Sequence, residues 1–224
     1  MTEWAPTPGT KPFSTIKREI ARYVLRDESA DALTAAGEAA NNGVRFLNLQ
    51  EWRWGLSYQD ITFVVGQADY NLDTQFDKPR SFSLMNSSDQ PYGRLEFVNP
   101  KTFEENWPYS TENGHPHYYT VFNDHENGLV TLNHAPSQSW VDQTPTGRLR
   151  FFRRLSLYAE DDNRLDGPTE AELFVIWYGR FDLANTYAPE KAAAAEKQFN
   201  RIFQELKRKN LRNHDYARFP RVIA

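Results

Sequence analysis

The chain of 224 residues has no cysteine. Disulfides, thiol nucleophiles and thiolate metal sites are thereby excluded, and the composition suits a reducing compartment. It has no apolar run near the ~18–20 residues that a helix needs to cross a bilayer. Its opening residues, Met1 to Thr10, carry neither the basic nor the apolar stretch that begins a signal peptide, so folding and first assembly are expected in a cytoplasm. Positive charge is not in surplus: 26 Lys and Arg stand against 30 Asp and Glu, a formal net charge of −4. Tight binding of duplex DNA requires cations that neutralise phosphates, so the surface as a whole is not that of a dedicated DNA binder. No Gly-rich phosphate loop, nucleophile elbow or catalytic triad signature is present.

What is abundant is aromatic side chains, 14% of residues. These serve protein interfaces or β-rich cores. The ends of the chain read as helix and the middle as strand. Ser14 is expected to cap a first helix with Ile16, Ile20, Tyr23 and Val24 on its apolar face. Ser29 caps a second, whose stripe is Leu33, Ala36, Ala40, Val44 and Leu47. The small residues Ala35, Gly37, Ala39 and Gly43 on that helix point to close helix packing, since each Gly costs about 1 kcal/mol relative to Ala. From Asp60 to about Arg154 the period becomes two. Ile61, Phe63 and Val65 alternate, Gly66-Gln67 offers a hairpin turn, and Tyr70 and Leu72 continue on a return strand. Further strands are read at 80–85, 94–98, 117–122, 129–132 and 149–154. They are interrupted by a short helix capped by Asn99, with Pro100 in its first turn and Phe103 and Trp107 buried. Helix returns at Pro168, with the stripe Leu173, Ile176, Trp177, Phe181 and Ala184. A last helix opens at Pro189 and carries Ala195, Phe199, Ile202, Phe203 and Leu206. No helical stripe continues from Asn210 onward.

The fold class expected is α+β: a bundle of N- and C-terminal helices with an inserted antiparallel β-sandwich or barrel-like domain and an extended C-terminal tail. Its parts are an arm at 1–13, helices at 14–58, the β-domain at 59–166, helices at 167–211 and the tail at 212–224.

Three groups of residues could carry chemistry. Four of the five histidines lie between His115 and His134, but His125 falls in a polar turn cluster, and no metal or cofactor site is expected. The acids Glu160, Asp161, Asp162, Asp166, Glu170 and Glu172 could serve a glycoside hydrolase, which needs two carboxyls fixed across a cleft. They read instead as a solvated loop with helix-dipole acids. Asp161, Asp162 and Asp166 could also line a DNA channel and repel phosphate. Arg148 and Arg150 share one strand face. The tail combines Arg208, Arg212, Arg218 and Arg221 with Tyr216, Phe219 and Ile223. Disordered tails are poor in aromatic and β-branched residues, so this one is expected to fold onto an acidic partner. Extended, its thirteen residues from Arg212 would span roughly 40 Å.

A succession of motifs then stands out: Trp52-Arg53-Trp54; Thr62-Phe63-Val64-Val65-Gly66-Gln67-Ala68-Asp69-Tyr70-Asn71-Leu72; Gly114-His115-Pro116-His117-Tyr118-Tyr119; Leu132-Asn133-His134-Ala135-Pro136; and Trp177-Tyr178-Gly179 in a late helix. In order and spacing this resembles the head-to-tail adaptor, or connector, proteins of tailed bacteriophages, over roughly residues 14 to 212. Asp73 and His134 stand where that family often has proline. The resemblance implies a non-enzymatic subunit of a homo-oligomeric ring, a dodecamer, beneath the portal protein. Such a ring sits in the virion neck, is assembled in the host cytoplasm and extends the DNA channel. Double-stranded DNA passes without specific binding, no membrane is involved, and tail, nozzle or stopper proteins attach below. It also implies that the C-terminal segment from Arg208 docks on the portal. The alternatives are a tail-associated glycan hydrolase using the acids near Asp161 to Asp166, and a stopper or tail-tube component further from the capsid.

Overall fold

A computed structural model describes residues 9–108, 112–122 and 128–212, except the side chains of residues 211 and 212. In chain order its elements are α1 (Phe13–Val24), α2 (Ala30–Leu47), a 3-10 turn at Arg53–Gly55, β1 (Leu56–Thr62), β2 (Asp69–Asn71), β3 (Phe76–Met85) and β4 (Pro91–Phe97). There follow α3 (Pro100–Asn106), β5 (Asn113–Gly114), β6 (Tyr118–Phe122), β7 (Leu129–Leu132), β8 (Ala135–Pro136), α4 (Gln138–Gln143) and β9 (Thr146–Arg153). The chain closes with α5 (Thr169–Tyr187) and α6 (Pro189–Arg212). The class is α+β, as expected. Two compact units are distinguished: a helical one built from residues 1–55 and 155–224, and a β-rich one from 56–154.

In the helical unit α2 starts where Ser29 places its Oγ to accept from the Ala32 N–H, 3.4 Å. Such a cap is worth about 1 kcal/mol. α1 begins one residue before Ser14, and no side chain caps it. Its free N–H groups are satisfied at long range: Phe13 N donates to Asn163 O and Ser14 N to Asp161 O, both 2.9 Å. A serine cap is therefore not needed.

α5 packs against α1, α2 and α6. With neighbours on three sides it has no single apolar stripe. Phe174, Val175, Gly179 and Leu183 are buried, whereas Leu173, expected inside, is 37% exposed. Close packing read from the small residues of α2 is confirmed. A Cβ on Gly43 would lie 3.3 Å from Val175 Cα, and one on Gly179 would lie 2.6 Å from Ile20 Cδ1 and 3.3 Å from Ala40 N. α6 buries its whole expected stripe, Ala195 through Leu206. Phe46, Phe174 and Phe203 meet there with ring centroids 5.3–5.7 Å apart.

The β-rich unit is one curled seven-stranded sheet in the order β1-β9-β3-β4-β6-β7-β2, with β5 and β8 forming a separate parallel pair. The sheet is mixed rather than purely antiparallel, because β4 and β6 run parallel, with α3 between them in sequence. The Gly66-Gln67 hairpin does not form. β1 pairs with β9 and β2 with β7, so the two segments lie at opposite edges of the sheet. Gly66 does adopt the left-handed φ of 79° that its turn requires. The turn is held by other means: the Tyr70 hydroxyl donates to Gln67 O (2.8 Å) and accepts from Val64 N (3.1 Å), while Gly66 N donates to Pro136 O (3.0 Å).

α3 is capped by Asn99, whose Oδ1 accepts from Thr102 N at 3.0 Å, with Pro100 in its first turn as expected. Phe103 is buried, whereas Trp107 is half-buried and stacks on Tyr118 at 5.0 Å. The core is aromatic: Phe63, Phe82, Tyr119 and Trp140 meet with centroids 4.8–6.0 Å apart. Gly147 on β9 faces this cluster. A Cβ there would lie 2.6 Å from Phe82 Cε2 and 2.7 Å from Phe63 Cζ.

Candidate interaction surfaces

The first candidate is the end of α6. The helix continues through Asn210 to Arg212, beyond the point where its apolar stripe stops. Asn210 explains the extension. Its Oδ1 accepts from Arg53 N at 2.8 Å and its Nδ2 donates to Glu51 O at 3.0 Å, so a polar bridge holds the last turn. Arg208 is exposed on this turn. The Arg212 side chain and residues Tyr216, Arg218, Phe219, Arg221 and Ile223 lie outside the described residues. Lys209 pairs with Glu170 in the first turn of α5. The hydrogen bond from Lys209 holds the Glu170 carboxyl below its ordinary value. A carboxyl depressed in the folded state contributes stability above its unfolded pKa of about 4.5, and that stability is lost as pH falls through the folded value. The pair is largely exposed, so its worth is well under about 1 kcal/mol. Lys209→Met is expected to flatten this acid limb in denaturation measured between pH 7 and 3: its small loss of stability is fully present at pH 7 and vanishes by pH 3.

The second candidate is the acidic segment. Asp161 and Asp162 are exposed on the connection before α5, and Asp166 is half-buried on it. Asp161 pairs with Lys17 of α1. The connection is firmly held. Asn163 Oδ1 accepts from Ala159 N and Glu160 N, both 2.9 Å. Asn41 on α2 and Asn48 at its C-cap, two turns apart, each bond both backbone groups of one residue: Asn41 those of Tyr158 (2.9 and 3.1 Å), Asn48 those of Leu155 (2.9 and 3.0 Å). Periodicity could not reveal these asparagines, because they read as a polar helix face.

Glu172 differs most from its sequence reading. It is not a solvated first-turn acid but 1% exposed. Its Oε2 accepts from Lys11 N at 2.9 Å and its Oε1 from the Thr10 hydroxyl at 3.3 Å. With Gly9 N donating to Leu165 O (2.6 Å), the segment before α1 is fastened along the acidic connection.

The third candidate is the sheet face opposite the aromatic core. Arg148 there makes two hydrogen bonds to Asp60, 2.7 and 2.9 Å, with its guanidinium 4.6 Å from the centre of the Tyr58 ring. The bond to Asp60 raises its pKa further. Arg150 shares that face, opposite Tyr58, and is exposed. Arg94 on β4 and Arg80 on β3 are exposed as well, Arg80 lying 5.8 Å from the Phe152 ring. The sequence paired Arg148 with Arg150. It could not bring in Arg80 and Arg94, which belong to strands distant in the chain.

Among the described residues no group of three or more His, Asp or Glu is placed to hold a metal ion, and no helix is long and apolar enough to cross a membrane. His117 N and Tyr118 N both donate to Asn133 Oδ1 at 2.9 Å, so the His-Pro-His segment is ordered by backbone bonding. His125 lies outside the described residues.

A helical unit in two sequence segments and a curled mixed sheet from the stretch between them make up the chain. The sequence profile of the SU10 adaptor protein family matches residues 11–222, so the chain belongs to that family of phage head-to-tail adaptors. No curated protein sequence matches the chain.

Proposed function

We propose that this chain is a non-enzymatic ring subunit that assembles beneath the portal, extends the DNA channel and offers the platform to which tail, nozzle or stopper proteins attach. The ring is a dodecamer in the virion neck, formed in the host cytoplasm, and its tail from Arg208 to Ala224 docks on the portal. The observation that carries this reading is the family match over nearly the whole chain. The structure supports it in two ways. The Asn210 bridge anchors the last turn of α6, immediately before the basic, aromatic segment in sequence. Three of the acids that a hydrolase could have used are engaged structurally: Asp161 with Lys17, Glu170 with Lys209, and Glu172 with residues 10 and 11.

Deletion of residues 213–224 tests the docking role. The truncated chain is expected to keep the wild-type melting temperature and lose portal binding in sedimentation or pull-down. Undiminished binding would sink the claim. Tyr216→Ala with Phe219→Ala separates anchoring by aromatic side chains from steering by charge. The double variant is expected to bind at a near-normal rate but release at least tenfold faster.

A further inference from the structure

Two surfaces of opposite charge stand exposed on different units of this chain. The sheet register brings one of them together. Ser83 on β3 pairs with Arg148 on one side and Arg94 on the other, and Ser81 pairs with Arg150. With strands about 4.8 Å apart and about 3.4 Å per residue, Arg148 and Arg94 lie about 10 Å apart and Arg148 and Arg150 about 7 Å. The serines between them are too short to cover the guanidinium groups. Asp60 is committed to Arg148 by two hydrogen bonds. Glu96, two residues from Arg94, and Asp89, in the turn after β3, offset part of the charge. Arg80, Arg94 and Arg150 have no ion-pair partner among the described residues, and the face is net positive.

The other surface is the acidic knuckle before α5. Glu160 and Asp162 are exposed, two residues apart, and also have no ion-pair partner among the described residues. Their backbone is fixed by Asn163 Oδ1 and by the Ser14 N–H donating to Asp161 O. Carboxylates on a preformed loop lose little freedom on binding.

We propose that the sheet face carrying Arg80, Arg94 and Arg150 docks onto the knuckle at Glu160 and Asp162 of a second copy of this chain. The inference rests on the ring reading above and supplies its contact. Two different patches that complement one another make a head-to-tail interface, the kind that closes into a ring when the rotation permits. Each ion pair is weak alone, and closure of the ring adds the contacts together. Phosphates of duplex DNA are the other anionic occupant. Their binding scales with the number of cations engaged, and three unpaired arginines on a chain of net charge −4 are few.

The absence of cysteine allows a direct test. Full-length Ser81→Cys and Asp162→Cys chains, mixed with portal under mild oxidation, are expected to form mixed disulfide dimers, and a chain carrying both changes a ladder. Homodimers of either single variant forming as fast as the mixed pair would overturn the inference. Arg94→Glu with Arg150→Glu is expected to weaken self-association at least tenfold, and adding Glu160→Arg and Asp162→Arg in the same chain to restore it. If the reversed-charge chain misfolds by circular dichroism, the cross-link decides. Rings of unchanged mass and salt response in a folded reversed-charge chain, or rings without mixed cross-links, overturn this contact and leave the ring standing. A wild-type chain that binds portal as single copies removes both. Retention of a 20–30 base-pair duplex at low salt that the arginine reversals abolish would give the face to phosphate and overturn the contact.

Discussion

Gly147→Val is expected to destabilise the protein by about 3 kcal/mol, the upper end of what overpacking a core costs. For a chain of this size that lowers the melting temperature by about 6–12 °C. Even the first added carbon would stand 2.6 Å from Phe82 and 2.7 Å from Phe63, well inside van der Waals contact. Neither ring has room to yield. Phe82 and Phe63 are 0% and 3% exposed, and their far sides meet Tyr119 and Trp140 at 5.2 and 4.8 Å. Gly93→Ala, on strand β4, is the control. Its Cβ would lie 3.6 Å from Leu84 Cδ1, an ordinary contact, and the change is expected to stay within about 0.5 kcal/mol. Thermal melts of the two variants side by side check the claim, and equal melting temperatures would refute it.

Glu172→Ala is expected to cost a similar amount, about 3 kcal/mol, by a different route. The change leaves the Lys11 N–H and the Thr10 hydroxyl without their acceptor, and bonds to a charged group are worth about 1.5–3 kcal/mol. It also opens a space beneath residues 9–11. Hydrogen exchange reports the local part of this loss: the Lys11 amide is expected to exchange as fast as in an unfolded chain while amides within α2 keep their protection. Glu172→Gln retains one acceptor and is expected to lose less than half as much. Gly9→Ala reaches the same outcome from the opposite side, because its Cβ would fall 2.5 Å from Glu172 Oε2 and 3.2 Å from Leu165 O. Slow exchange at Lys11 in Glu172→Ala would show that the carboxylate does not hold the segment.

Local features were legible in the sequence wherever the information was itself local. Ser29, Asn99 and Pro100 mark helix starts because a cap acts within three residues. The stripe of α6 reads correctly because that helix buries one face. α5 defeats the same method, since three helices surround it and burial ceases to be periodic. Strand pairing was harder still. Gly66-Gln67 is a genuine turn, yet alternation on either side of it cannot say that β1 seeks β9 and β2 seeks β7. α4 escaped notice because its six residues bury only Trp140. At the candidate surfaces, Arg148 and Arg150 were seen to share a face through strand parity. Arg94 joined them only through the pairing of β3 with β4 and β9. Glu172 looked like any first-turn acid, since what buries it arrives from residues 9–11.

The helical unit is discontinuous in sequence, and this sets the order in which its parts can be made. α1 and α2 leave the ribosome able to pack on each other, but with Ile20, Ala40 and Gly43 not yet covered by α5, which begins about 120 residues after α2 ends. At about 5–20 residues per second the wait is roughly 6–24 s. The β-rich unit, whose strands are contiguous between residues 56 and 154, can complete its sheet during that interval. The N-terminal helix pair is thus the segment of the nascent chain most in need of a chaperone, and a fragment ending before α5 is expected to aggregate although its own helices are well formed in sequence.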